Sequence, residues 1–203
     1  MHRHADSAAI GSRRASTTQT RVLRRVVAAG VGAFLVALSA QVVVPVPFSP
    51  VPMTLQPLAV LAVGGLLGGA GGLFALVLYL MLGVLGLPVF APGGLPGALR
   101  LIGPTGGYLL AFPLAAGLTG VLAGWALAYG RVTGKAVLGV LLACALGMVI
   151  IHAGGVAQLA LLGGDPSLAM RVGFVPFLTG DLLKVGLAAA LILAAGSRVR
   201  SLL

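Results

Sequence analysis

Beyond its first two dozen residues the chain runs in long apolar stretches, broken by clusters of Gly and Pro and almost free of polar side chains. Six segments stand out, at roughly 26–44, 54–69, 71–88, 105–129, 136–162 and 176–197. Each approaches the roughly 20 residues that a helix needs to cross hydrocarbon, although the second and third are short and closely joined. Backbone groups in lipid must pair within their own segment, so the pattern predicts helices. The breaks carry information of their own. "PVPFSPVP" (45–52) denies helix and favours an extended crossing between the first two segments. "LPVFAPGGLPG" (87–97) is apolar yet full of helix breakers, as suits a loop that lies on a helix bundle. "GGAGG" (68–72) reads as a tight turn, and no repeat of fixed period is evident.

Composition turns this pattern into a membrane protein: 59% of residues are hydrophobic, only 8% are charged, and mean hydropathy is +1.13. Residues 1–21 are polar, basic and aperiodic, and are expected to form a disordered tail ahead of a transmembrane unit spanning 22–203. Lys and Arg concentrate in the tail (Arg3, Arg13, Arg14, Arg21, Arg24, Arg25), after segment four (Arg131, Lys135) and at the end (Arg198, Arg200). The alternate loops hold only Arg100 and Arg171. The positive-inside rule then places both termini in the cytoplasm, consistent with an even number of spans. The expected fold class is an all-α integral membrane protein of six transmembrane helices. A signal-peptide reading of "RRVVAAGVGAFLVALSAQ" is set aside, because five more apolar segments follow it. The basic excess belongs to topology, and no nucleic-acid partner is expected.

Candidate chemistry is sparse. Asp181 and Lys184, in "GDLLK", are the one acid and the one Lys of all six segments. They lie about five and eight residues past Pro176, so Asp181 is about 7 or 8 Å into the bilayer. A spacing of three puts both on one helix face, where they can pair. Charges in a membrane helix cost at least about 2.5 kcal/mol each at its centre, so they normally face a bundle interior or a polar cavity. Such a pair offers an acceptor and a donor to a small ligand such as a cyclic urea or an amide with a carboxylate; a purely structural ion pair is the alternative. Gln56 and Tyr108 begin segments two and four at the same level, either as ligand contacts or as interfacial residues. Arg100 reads as a solvated topology charge or as a partner for an anionic ligand, and His152 with Gln158 as packed, hydrogen-bonded polar residues in preference to a proton relay. Trp125 suits a belt position, and Cys144 a buried core position without a disulfide. Ala29, Ala33 and Ala37, four apart, allow another helix to approach closely.

No energy-converting or catalytic signature appears. "GRVTGKA" (130–136) is one residue short of a P-loop between its glycines and has Ala136 where the hydroxyl would stand. Neither HExxH nor GxSxG occurs, so no enzymatic activity, metal or cofactor is expected.

Four stretches taken in order, "PVPFSPVPMTLQPLAVLAVGGLLG", "LVLYLMLGVLGLPVFAPGG", "GPTGGYLLAF" and "VPFLTGDLLKVGLAAAL", resemble the BioY family, biotin-binding S components of energy-coupling factor (ECF) transporters. The resemblance runs from about residue 27 to 197. It implies an S component in the cytoplasmic membrane that captures biotin from outside and associates with a transmembrane T component and two ATP-binding cassette ATPases. Carried over by residue, the family's ligand-binding Asp and Lys fall on Asp181 and Lys184, and Tyr108 and Gln56 match its Tyr and Gln. The face toward the T component falls on Ala33 and Ala37, with Ala29 as an extension. The chain departs from some relatives at Gly94, where they carry Asn, and at Leu109, where they carry Arg. The carboxylate contact is therefore left between Arg100 and Lys184, and the same scaffold with another vitamin stays open.

Overall fold

The computed structural model describes residues 3–128 and 132–203, with side chains from Gln19 onward. The elements are helix α1 (Arg3–Ala40), strands β1 (Val43–Val44) and β2 (Met53–Thr54), and helices α2 (Gln56–Val84), α3 (Leu99–Ile102), α4 (Gly106–Ala126), α5 (Gly134–Gly163), α6 (Pro166–Gly173) and α7 (Leu178–Leu202). Five helical stretches are long and apolar enough to cross a membrane: Gln19–Ala40, Gln56–Val84, Gly106–Ala126, Gly134–Gly163 and Pro166–Leu202. The chain is thus an all-helical, multi-pass membrane protein. The backbone of α1 is helical from Arg3, through the stretch for which composition predicts a tail. Of the basic loop after segment four, Arg131 lies outside the described residues.

Helix α2 doubles back on itself. Gln56 and Tyr79, 23 residues apart, share a 2.6 Å hydrogen bond. In a straight helix they would stand about 34 Å apart. The reversal is at Gly68, with φ 80° and ψ 174°, a backbone region essentially reserved for glycine. Nothing lies within 4 Å of where its Cβ would be, so the requirement is conformational and not one of space. Gly68→Ala is therefore expected to cost about 1–3 kcal/mol, read as a lowered thermal unfolding midpoint of the detergent-solubilised protein.

Small residues draw the two arms of α2 against α4. A Cβ at Gly72 would sit 2.7 Å from the Gly64 Cα, and one at Gly64 would strike the Ala116 backbone. With no hydrophobic drive between helices in lipid, such backbone approach is a main source of packing energy. At this end of the bundle Arg200 of α7 donates from Nε to the Gly65 carbonyl at 3.1 Å and from Nη2 to the Gly120 carbonyl at 3.2 Å. It thereby ties α7 to the first arm of α2 beside the reversal and to α4. Arg24 and Arg25 of α1 reach the Leu202 and Leu203 carbonyls at 3.4 and 3.2 Å, so the basic start of the apolar part of α1 and the end of α7 share one side. Thr133, inside the stretch with partial P-loop spacing, is the N-cap of α5 and accepts from the Ala136 N–H.

The opposite end carries the irregular segments. The prolines of 45–52 form the tip of a short antiparallel ribbon, with Val43 paired to Thr54 and Val44 to Met53. Ser49 Oγ donates to the Val172 carbonyl at 2.7 Å and so ties this tip to α6. Gln158 of α5 donates to the carbonyls of Leu101 and Gly103 at 2.9 and 2.6 Å, which holds the α3–α4 connection on the bundle.

Candidate ligand-binding site

Beneath the irregular segments lies a cavity of about 580 Å³, its open mouth included. Most of its wall is apolar, including Val51, Phe90, Leu109, Phe112, Ile151 and Phe177. Gln56, Arg100, Tyr108, His152, Asp181 and Lys184 also line it. All six are buried, with Arg100, Asp181 and Lys184 each 5% exposed.

The helical spacing of three brings Lys184 Nζ to Asp181 Oδ1 at 2.8 Å. A second partner arrives from another helix: His152 Nε2 of α5 stands 2.6 Å from Asp181 Oδ2. Both carboxylate oxygens are therefore engaged, each by a different helix position. His152 does not share a face with Gln158, because six helical residues rotate a side chain by about 240°. Both are packed and hydrogen-bonded, as their type suggests, but to different partners. The usable signal was that, of Asp, Glu, Lys, Arg and His, its segment holds His152 alone, and such a residue within a membrane helix is a candidate for function by default.

Tyr108 is held in place by its own hydroxyl, which donates to the Gly173 carbonyl at 2.6 Å and leaves Oη free only as an acceptor. Its ring lies over Gly155, where any Cβ would collide with it. Gln56 is the centre of a small relay. Its Nε2 donates to Tyr79 Oη at 2.6 Å, Tyr79 Oη donates to the Val89 carbonyl at 3.2 Å, and Thr54 Oγ1 donates to Gln56 Oε1 at 3.2 Å. One amide N–H of Gln56 remains to face the cavity.

Arg100 departs most from the reading as a solvated topology charge. It sits on α3 with its guanidinium turned inward, donating to the Ala91 carbonyl and resting on Gly94, where a Cβ would overlap it. The lack of a side chain at position 94 makes the room that this cation occupies. Among the described residues no carboxylate pairs with Arg100. The cavity wall thus carries two cations, Arg100 and Lys184, against the single anion Asp181.

The alanine stripe is also placed differently from the expectation of an outward face. Ala29 and Ala33 are 1% and 2% exposed and belong to the chain's own core, with Ala37 half-buried against it. Small residues at a spacing of four serve here to seat α1 on α2. The uncovered face of α1 is made by Val22, Leu23, Val26, Val27, Val31, Phe34, Leu35 and Leu38.

Comparison with known proteins agrees with this architecture. The BioY family model matches residues 11–201. "Biotin transporter BioY" of Thermotoga maritima is 38% identical over 177 residues, covering 84% of this chain and 95% of that protein. "Probable biotin transporter BioY" of Pyrococcus horikoshii is 35% identical over 158 residues, covering 78% and 88%. Among solved structures, the S-component for biotin from an ECF-type ABC transporter superposes with a TM-score of 0.75 at 24% identity, covering 85% of this chain and 90% of that one.

Proposed function

As the chain belongs to the BioY family, we propose that it captures biotin as the S component of an ECF-type transporter in the cytoplasmic membrane. The observation that carries this reading is the composition of the cavity wall: a buried acid–base pair on α7, a buried guanidinium on α3 with no carboxylate partner among the described residues, and apolar surface beside them. Biotin is a cyclic urea with two N–H donors and one carbonyl, joined by an apolar chain to a carboxylate. Asp181 accepts from the ring N–H groups, Lys184 donates to the ring carbonyl, and Arg100 takes the carboxylate. The excess of one positive charge on the wall suits a ligand with one negative charge. Tyr108 and Gln56 complete the polar edge.

The two arms of α2 count as separate crossings in this reading, which makes six spans. Six spans return the chain to its starting side, in keeping with the contacts of Arg24 and Arg25 with the last residues. The Lys and Arg distribution assigns that side to the cytoplasm and the cavity to the outside. Residues 22–203 form the substrate-binding unit, residues 1–21 a basic tail, and the loops 45–52 and 87–104 cover the bound ligand. Energy comes from a T component and two ATP-binding cassette ATPases, since this chain carries no nucleotide-binding signature. Helix α1 is the proposed T-facing helix, through its uncovered face and Ala37.

Calorimetric titration of the detergent-solubilised protein with biotin is expected to give saturable one-to-one binding. Competition with other vitamins separates ligands on the same scaffold, and a folded protein that binds a different vitamin in place of biotin would overturn the assignment.

A further inference from the structure

We propose that His152 is a positioning residue of this site, fixing the rotation of the Asp181 carboxylate toward the ligand's N–H donors without itself holding the ligand. The inference rests on the reading of the site as a cyclic-urea pocket.

Its basis is an accounting of protons and lone pairs. His152 Nε2 lies 2.6 Å from Asp181 Oδ2. An ionised carboxylate only accepts, so the proton is on Nε2. The other ring nitrogen, Nδ1, is buried and has no hydrogen-bond partner. It is surrounded by rings: Tyr108, Phe174 and Phe177 have centroids 6.0, 5.0 and 6.1 Å from the imidazole. Nε2–H toward Asp181 is therefore the one polar contact that the ring makes among the described residues.

Lys184 alone leaves the carboxylate loosely set. The terminal torsion of Asp is broad, and Lys184 reaches Oδ1 from the same helix on a long flexible stem. A rigid ring donating to the other oxygen from α5 removes that freedom. Each oxygen then has one engaged and one unengaged lone-pair site, and two acceptor sites in a fixed plane match the paired N–H groups of a cyclic urea.

The test compares three substitutions with the unchanged protein. Leu and Phe at position 152 fill the aromatic surroundings but lose the donor. Gln keeps an N–H at nearly the reach of Nε2. Biotin affinity is expected to fall at least about tenfold in His152→Leu and His152→Phe and to stay within about threefold in His152→Gln, the loss being that of a hydrogen bond to a charged group. In an Asp181→Asn background, His152→Leu is expected to add less than about a twofold change, because both act on one contact. Tolerated Leu and Phe with an impaired Gln would mean a packing role, and losses that add would mean direct ligand contact. Either result overturns the proposal.

A ligand-free measurement separates this from the identity of the ligand. The ¹⁵N spectrum of histidine-labelled protein is expected to show, beside the signals of His2 and His4, an Nε2–H imidazole that disappears in His152→Gln and shifts in Asp181→Asn. An Nε2 without a proton at position 152 would refute the positioning role whatever the pocket binds. A protonated Nε2 in a protein that does not bind biotin would count against the ligand and leave the Asp181–His152 unit standing.

Discussion

Asp181→Asn is expected to weaken biotin binding by about 3 kcal/mol, roughly a hundredfold, the upper range for hydrogen bonds to a charged group. The same change is expected to destabilise the fold. Asn preserves the shape of the side chain but leaves the Lys184 ammonium, 5% exposed, without its counter-charge. Removing one partner of a buried pair typically costs about 3–5 kcal/mol for that reason. The double change Asp181→Asn with Lys184→Met removes both charges and is expected to restore thermal stability in detergent while binding stays lost. This contrast decides between a ligand site and a packing element. A double variant that is stable and binds biotin as the unchanged protein does would reduce the pair to a structural role.

Arg100→Gln is the second large effect, and its signature is selectivity for one end of the ligand. Biotin affinity is expected to fall by about 1.5–3 kcal/mol, roughly tenfold to a hundredfold. Biotin methyl ester, which has no carboxylate charge, is expected to bind the variant and the unchanged protein alike. Arg100 is buried on α3, rests on Gly94, and has no carboxylate partner among the described residues. A cation so placed gains more from an arriving anion than an exposed one would, because little water screens the interaction. Equal losses for acid and ester would assign Arg100 to loop structure through its bond to the Ala91 carbonyl. Lys184 would then be the remaining candidate for the carboxylate.

These effects depend on residues that differ in how visible they were beforehand. The Asp181–Lys184 pair needed only helix geometry, since residues three apart meet on any helix. The hairpin of α2 was foreshadowed by "GGAGG", because only glycine adopts the backbone found at Gly68 without strain. The small-residue stripe of α1 was legible as a place of close approach, but not which helix approaches. In the structure it is α2, which takes up Ala29 and Ala33. Arg100 was left between a solvated charge and a ligand partner because a charge in a loop is usually solvated. Its burial follows from a loop that folds over the bundle and from the empty position at Gly94.

The sequence by itself determined the helical, membrane-embedded nature of the chain and the polar pair at the start of α7. Both follow from local rules, hydrocarbon thickness for the first and a 3.6-residue turn for the second. Tertiary structure alone decided what surrounds that pair. His152 meets Asp181 across 29 residues, Arg100 turns in from the loop, and Gln56 meets Tyr79 across a reversed helix. Contacts between segments depend on how helices rotate and seat against one another, a choice made by the close approach of glycines and alanines over the whole bundle, and no periodicity within one segment encodes it.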